Sequence, residues 1–395
     1  MSKPIVTFED FIKRILKVVL WVVLLALLIG VPTYYVLNEV FHFPIDLFAL
    51  ATKPFDSLAF LRKLLSTEPY KTLFALTVFP GFSFVAVYGT IFMGWVERKF
   101  TAKIQLRTGP MYAGKVEGIL QNVADFFKLF FKETIIPDGV DKATFVAVPL
   151  ALIGIAGALV ALIPLSPTTY IANPSVGAIL AFAILGFSPL VVLLAGWASN
   201  SKYSFLGGLR ALHQMVAYEI PLALSLVGTV LLAGALNLAP LVPGGPSIVT
   251  AQSKVWFIVL QPIGAVVFYI GALAEIERIP FDLPEADSEI VAGWQTEYTS
   301  MFFGAFWLIG FTRMYVLAGL FTTFFLGGWL GPTPVPPEVW FVLKTTVVML
   351  IMMLPRSIMP RLRIDLLLRA GWVRLLALSF LNIFLTMVIV SFGVV

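Results

Sequence analysis

The chain of 395 residues is 59% hydrophobic and only 12% charged, with a net charge of +5 at pH 7 and a mean hydropathy of +0.95. That balance excludes a water-soluble core and a disordered chain, and it defines an integral membrane protein. Cysteine is absent and histidine occurs only at His42 and His213, so neither iron–sulfur thiolates nor a paired-histidine haem can be built from this sequence. Any electron transfer must be carried by other subunits.

Apolar windows of about 20 residues, enough to cross a bilayer, fall at 15–37, 74–96, 143–163, 176–197, 216–236, 256–274, 300–326, 339–354 and 372–395. They predict an all-α, polytopic transmembrane helix bundle of about nine helices, with amphipathic and loop helices on the cytoplasmic side. The first window has no small-residue cleavage site after it and runs into Tyr34 and Tyr35, so it reads as a retained helix rather than a signal peptide. With the N-terminus in the cytoplasm, twenty of the 27 lysines and arginines fall on the cytoplasmic side and five outside, while Arg313 and Lys344 lie within spans. This bias predicts a multi-pass protein of the cell membrane with its C-terminus outside. The net charge needs no nucleic-acid partner, because topology accounts for it.

The first cytoplasmic segment carries Glu97, Arg98 and Lys99 at the end of a span, then apolar residues at Ile119, Leu120, Val123, Phe126, Phe127 and Phe130 between Gln121, Asp125, Lys128 and Lys132. That spacing predicts an amphipathic helix, serving either as an interfacial anchor or as a surface on which something packs. In the next segment, residues 199–203 form a polar turn before Gly207, Gly208 and Arg210. Glu219 falls a short way inside the following span, and Pro221 beside it is expected to break the helix locally. A carboxyl there either carries a proton or pairs with a neighbouring cation. His213 reads as a packing or hydrogen-bonding residue rather than a ligand. The last cytoplasmic segment holds Arg356, Arg361, Arg363, Arg369 and Arg374 against a single acid, Asp365, suiting lipid headgroups, an acidic partner, or both.

Residues 274–298, AEIERIPFDLPEADSEIVAGWQTEY, contain seven of the chain's 22 carboxylates. Acid clustered beside a membrane is costly, which favours a proton-handling site over a merely solvated loop. Glu285 and Glu289 would share a face if the stretch were helical, and carboxylates this close cannot all ionise comfortably. Arg278 is placed to stabilise one of them.

ERKFTAKIQLRTGP at 97–110, ADFFKLFFKE at 124–133, GWASNSKYSFLGGLRA at 196–211, YEIPLAL at 218–224 and the acidic run together resemble the membrane-arm H protein (mitochondrial subunit one) of respiratory complex I, the energy-converting NADH:quinone oxidoreductase. The resemblance spans roughly residues 74 to 385. It divides the chain into an N-terminal extension, 1–70, with one additional transmembrane helix, and a membrane domain, 71–395, that resembles this complex I component.

The resemblance implies a subunit at the junction of the membrane and peripheral arms. Its partners would be peripheral-arm iron–sulfur subunits, antiporter-like and small membrane subunits, and lipid, with quinone as substrate and no iron–sulfur cluster, haem or metal in this chain. Carried over, Glu219, Glu275, Glu285, Asp287, Glu289 and Glu297 match acids of the family's proton path. Glu97, Arg98, Arg107, Lys128, Arg210, Arg278 and Asp282 match polar residues of the quinone chamber or its entrance. Quinone would enter near 74–98 and the 119–133 amphipathic helix. Two positions depart from the pattern. Asp287 stands where glutamate is commoner, and Gly310 stands where many members carry a glutamate, with Arg313 nearby. The rival readings are a membrane subunit of a [NiFe] hydrogenase or of an F420H2:phenazine oxidoreductase, and a stand-alone proton or cation transporter. The transporter reading is disfavoured by the lack of inverted repeats.

Overall fold

The computed structural model describes residues 85, 88–114, 117–167, 169–242, 244–332 and 335–392, all of them in the unit Phe74–Val395. The expected N-terminal extension, the window 15–37 and most of 74–96 lie outside the described residues.

The described residues form helices and connections with no strand among them. A π-helical stretch, Tyr88–Met93, leads into α1 (Gly94–Ile104), and the amphipathic helix is α2 (Gln121–Phe131). Next come α3 (Lys142–Leu162), α4 (Gly177–Leu185), α5 (Ser188–Ala198) and α6 (Lys202–Ala233). They are followed by α7 (Pro262–Glu275), α8 (Ser300–Phe325) and α9 (Pro337–Ile358). The chain closes with α10 (Ile364–Arg369), a π-helical stretch Ala370–Leu375 and α11 (Leu376–Ser391). Six helical stretches among the described residues are long and apolar enough to cross a membrane: Lys142–Leu162, Gly177–Ala198, Lys202–Ala233, Ser300–Phe325, Pro337–Ile358 and Ile364–Ser391.

Four expectations need correction. The helix expected at 216–236 begins at Lys202, so the segment read as a polar cytoplasmic loop is mostly helix. At 32 residues α6 is about 48 Å long, well beyond a ~30 Å hydrocarbon core. Pro221 does not break it. The carbonyl that a proline leaves without a partner belongs to the residue four positions back, here Ala217. That oxygen is approached by Gly371, where a Cβ would stand 3.0 Å from it. The window 256–274 is not one helix. Pro262 restricts the residue before it, Gln261 takes φ −130° and ψ 58°, and a single turn at Phe257–Leu260 is thereby separated from α7. The terminal span also begins earlier than expected, at Ile364 rather than 372.

The buried core centres on Tyr218, Phe268, Phe281, Phe311, Phe324, Phe325 and Phe341. A second cluster gathers Phe145, Met215, Trp294, Tyr298 and Phe306, with the Phe145 and Tyr298 rings stacked at 4.0 Å. Several buried polar groups are tied to backbone, as a low-dielectric interior favours. The Lys344 ammonium donates to the carbonyls of Leu326, Gly328 and Leu330 at 2.7, 3.1 and 2.6 Å and lies over the Trp256 ring. It thereby serves the carbonyls just past the C-terminal end of α8, where a cation suits the helix dipole.

Candidate functional site

The amphipathic helix is pinned from one side and open on the other. Asn122, fully buried, donates to the carbonyls of Thr90 and Ile91 at 2.9 and 3.1 Å. The Ser300 hydroxyl donates at the opposite end to the carbonyls of Leu129 and Lys132 at 3.1 and 2.6 Å. Phe126, Phe127, Phe130 and Phe131 stay exposed. Between α2 and the start of α8 lies a cavity of about 500 Å³ lined by Arg98, Asp125, Lys128, Leu129, Lys132, Phe303 and Trp307 among others. Arg98 bonds Asp125 at 2.7 Å and covers the Trp307 ring.

Arg98, Phe303 and Trp307 also line a second, charged cavity of about 330 Å³, so the two adjoin. Its wall is drawn from α1 and the bend after it, α8, the end of α9 and the acidic segment: Glu97, Thr101, Arg107, Glu277, Arg278, Asp282, Glu285, Gln295, Gly310, Phe311 and Arg356. Glu97 is 3% exposed, and one of its oxygens accepts from both Arg278 and Arg356, while the other is buried without a hydrogen-bond partner. Arg278 also rests on the Phe311 ring, 4.9 Å from its centroid. Asp282 accepts from Arg361 at 2.8 Å, and Glu285 accepts from the Gln295 amide.

The acidic segment is held in place from α6. Gln214, buried in that helix, donates to the carbonyls of Ala274 and Phe281 at 2.9 and 2.8 Å, fixing both limbs of the first bend. The only helical turn within 276–292 is Asp287–Ile290, so Glu285 lies outside it and does not share a helical face with Glu289. Pro284 precedes this turn, and Val291, at φ 66°, ends it. Glu289 is exposed and pairs with Arg210 at 2.5 Å, away from the cavity wall.

Electrostatics differ sharply along the segment. Burial pushes Glu277 up to about 7; the Arg313 charge opposes this, while Glu275 and Asp282 add to it. Burial likewise pushes Glu285 up to about 8, reinforced by Glu277 and Asp282 and opposed by Arg278 and Arg356. Two carboxyls on the charged cavity therefore hold protons near neutral pH, beside arginines that respond to any new negative charge.

Of the expected site residues, Glu97, Arg98, Arg107, Arg278, Asp282 and Glu285 meet at the charged cavity, and Lys128 lines its neighbour. Glu275 is buried at the end of α7, and Glu219 is half-buried in α6 within electrostatic reach of it. Asp287 opens the short helical turn; Glu297, half-buried, lines neither cavity. Glu277, Gln295, Asp125, Arg356 and Arg361 complete the constellation and were not singled out as site residues. For Glu277 the acidic run itself was the available signal. For the arginines only the spatial pairing reveals it.

Fold and site together define a polytopic helical membrane protein with a charged, arginine- and carboxylate-walled cavity beside an amphipathic helix. A family model described as NADH dehydrogenase matches residues 77–387. The chain is 44% identical over 309 residues to the H component of NADH-quinone oxidoreductase from Bacillus cereus, covering 77% of this chain and 90% of the relative. It is 44% identical over 308 residues to the same component from Bacillus cytotoxicus, with the same coverage. To the corresponding NADH-quinone oxidoreductase component of Syntrophobacter fumaroxidans it is 42% identical over 304 residues, covering 75% and 89%. The chain belongs to the NADH dehydrogenase family, as the H-type membrane component of NADH-quinone oxidoreductase, complex I.

Proposed function

We propose that the charged cavity receives the headgroup of a lipid quinone and that the acids behind it begin a proton path into the membrane arm. The observation that carries this reading is Glu97, buried on the cavity wall with Arg278 and Arg356 on one oxygen and the other oxygen bare. Such a wall offers both signs of charge to a polar headgroup. The adjoining cavity, with Leu129, Phe303 and Trp307, offers apolar surface to an isoprenoid tail that enters over α2.

Reducing a quinone to a quinol consumes two electrons and two protons. The electrons come from an iron–sulfur subunit of the peripheral arm, docked on the cavity side. Negative charge developing on the headgroup draws Arg278 and Arg356 and changes the field at Glu277 and Glu285, which exchange protons near neutral pH. Charge then passes by way of Glu275 and Glu219 toward antiporter-like subunits. The cavity side faces the cytoplasm, and the C-terminus lies outside.

The test uses the whole complex, purified gently through this chain from its native membrane. Iron–sulfur and antiporter-like subunits should copurify, and reconstituted vesicles should couple NADH-dependent quinone reduction to proton uptake. Glu97→Gln should lower the quinone reduction rate. A normal rate in that variant would remove the charged cavity from the reaction.

A further inference from the structure

We infer that Arg313 is a positioning residue of the proton path, whose fixed charge and a small body of internal water join Glu277 at the cavity to Glu275 at the end of α7. The inference rests on the proposed function and concerns a residue outside the resemblance-derived site.

Arg313 lies within α8 and is 5% exposed. Its Nη2 is buried without a hydrogen-bond partner, and so are Glu275 Oε1 and Glu277 Oε1. The guanidinium is near enough to act electrostatically on both carboxyls. Yet among the described residues it forms no ion pair with either within 4.0 Å. Opposite charges buried this close with bare polar atoms on each side are in the arrangement that internal water bridges. Direct pairing would lock the acids, whereas a hydrated gap leaves each free to gain and lose a proton.

Gly310 sits one turn before Arg313. It lines the cavity wall together with Glu277, and a Cβ built on it meets nothing within 4 Å. At Gly310 this chain has open space, with a cation one turn further along the helix. An arginine does not relay protons at physiological pH. Its task here is to balance the charge of the acids and orient the water between them. The other charges bearing on the pair are Glu219, on Glu275, and Asp282 and Glu285, on Glu277, which also faces the Trp294 indole.

The test measures protons pumped per quinone reduced against pH in vesicles containing the intact complex. Arg313→Gln keeps donors but loses the charge, and Arg313→Lys keeps the charge. Loss of the charge leaves Glu277 holding its proton more tightly, so the Arg313→Gln profile should move to the alkaline side by on the order of one pH unit, with Arg313→Lys restoring the native profile. Gly310→Glu, which fits the open space and opposes Arg313, should shift the profile in the same direction. An unchanged profile in Arg313→Gln overturns the inference, as does Arg313→Lys behaving like Arg313→Gln. Should Arg313→Gln not assemble, an unchanged profile in Gly310→Glu overturns it. Glu277→Gln separates the two levels of argument. Lost pumping there with a normal Arg313→Gln sinks this inference alone, and normal pumping in Glu277→Gln sinks the proton path itself.

Discussion

Arg278 and Arg356 donate to the same oxygen of Glu97, one from the acidic segment and the other from the end of α9. Two like charges converge only because a buried carboxylate lies between them, so displacing either arginine changes what the other sees. Arg278 is the more enclosed, with 17% of its side chain exposed against 44% for Arg356, and it alone rests on Phe311.

Arg278→Ala should therefore slow quinone reduction more than Arg356→Ala. A charge-assisted hydrogen bond of about 1.5–3 kcal/mol corresponds to roughly ten- to a hundredfold in rate. Steady-state quinone reductase assays on the two variant complexes provide the check. An unchanged rate in Arg278→Ala would leave that residue a structural role only.

Glu285 and Glu289 should separate cleanly. Glu285 lines the charged cavity with Gln295, whereas Glu289 is exposed and held by Arg210. Glu285→Gln should cut proton pumping while the complex still assembles. Glu289→Gln removes an exposed ion pair worth at most about 1 kcal/mol and should leave pumping near the native level. A larger loss from Glu289→Gln would place Glu289 itself on the path.

The contrast between those two glutamates shows what the sequence could and could not display. The acidic run, the amphipathic helix and most of the apolar windows were legible, because each is a local pattern. Glu97 and Arg356 are 259 positions apart, and no local pattern joins them. The i, i+4 spacing of Glu285 and Glu289 suggested a shared face, but the helical turn begins only at Asp287 and ends at Val291. The first turns of α6 were missed for a different reason. Hydropathy windows follow apolar length, and Lys202, Arg210 and His213 hide a helix that is continuous through them. Pro221 was read by its usual effect, and the approach of Gly371 to Ala217 was not visible without the fold.

Burial of Glu277 and Glu285 should also make the complex more stable in mildly acidic than in alkaline solution. Both carboxyls are pushed up in the fold, to about 7 and about 8 from an ordinary value of 4.5. Between the ordinary value and those raised values, the folded protein binds protons that the unfolded chain does not. Stability therefore falls as pH rises through this window and levels off above about 8. The thermal midpoint of the purified complex should follow that course, and a Glu277→Gln/Glu285→Gln double variant should show a flatter one. Identical slopes would mean that neither carboxyl titrates in this range.

Finally, the acidic segment and the α6 surface beneath it should be intolerant of added bulk at one glycine each. Gly293 has φ +59°, and a Cβ there would stand 1.6 Å from the Pro284 carbonyl oxygen; a Cβ on Gly207 of α6 would stand 2.4 Å from the Trp294 nitrogen. The first contact lets the segment fold tightly on itself so that Gln295 reaches Glu285, and the second lets it lie directly on α6. Gly293→Ala should therefore displace the Glu285 wall and depress both assembly and quinone reduction. Gly234→Ala is the control: its φ is +61° and its Cβ meets nothing within 4 Å. That substitution should cost only the left-handed backbone strain of about 1–2 kcal/mol. Assembly yield and reductase rate, measured side by side, decide the matter. If the two variants behave alike, the close approach of Gly293 to Pro284 is not what holds the cavity wall in place.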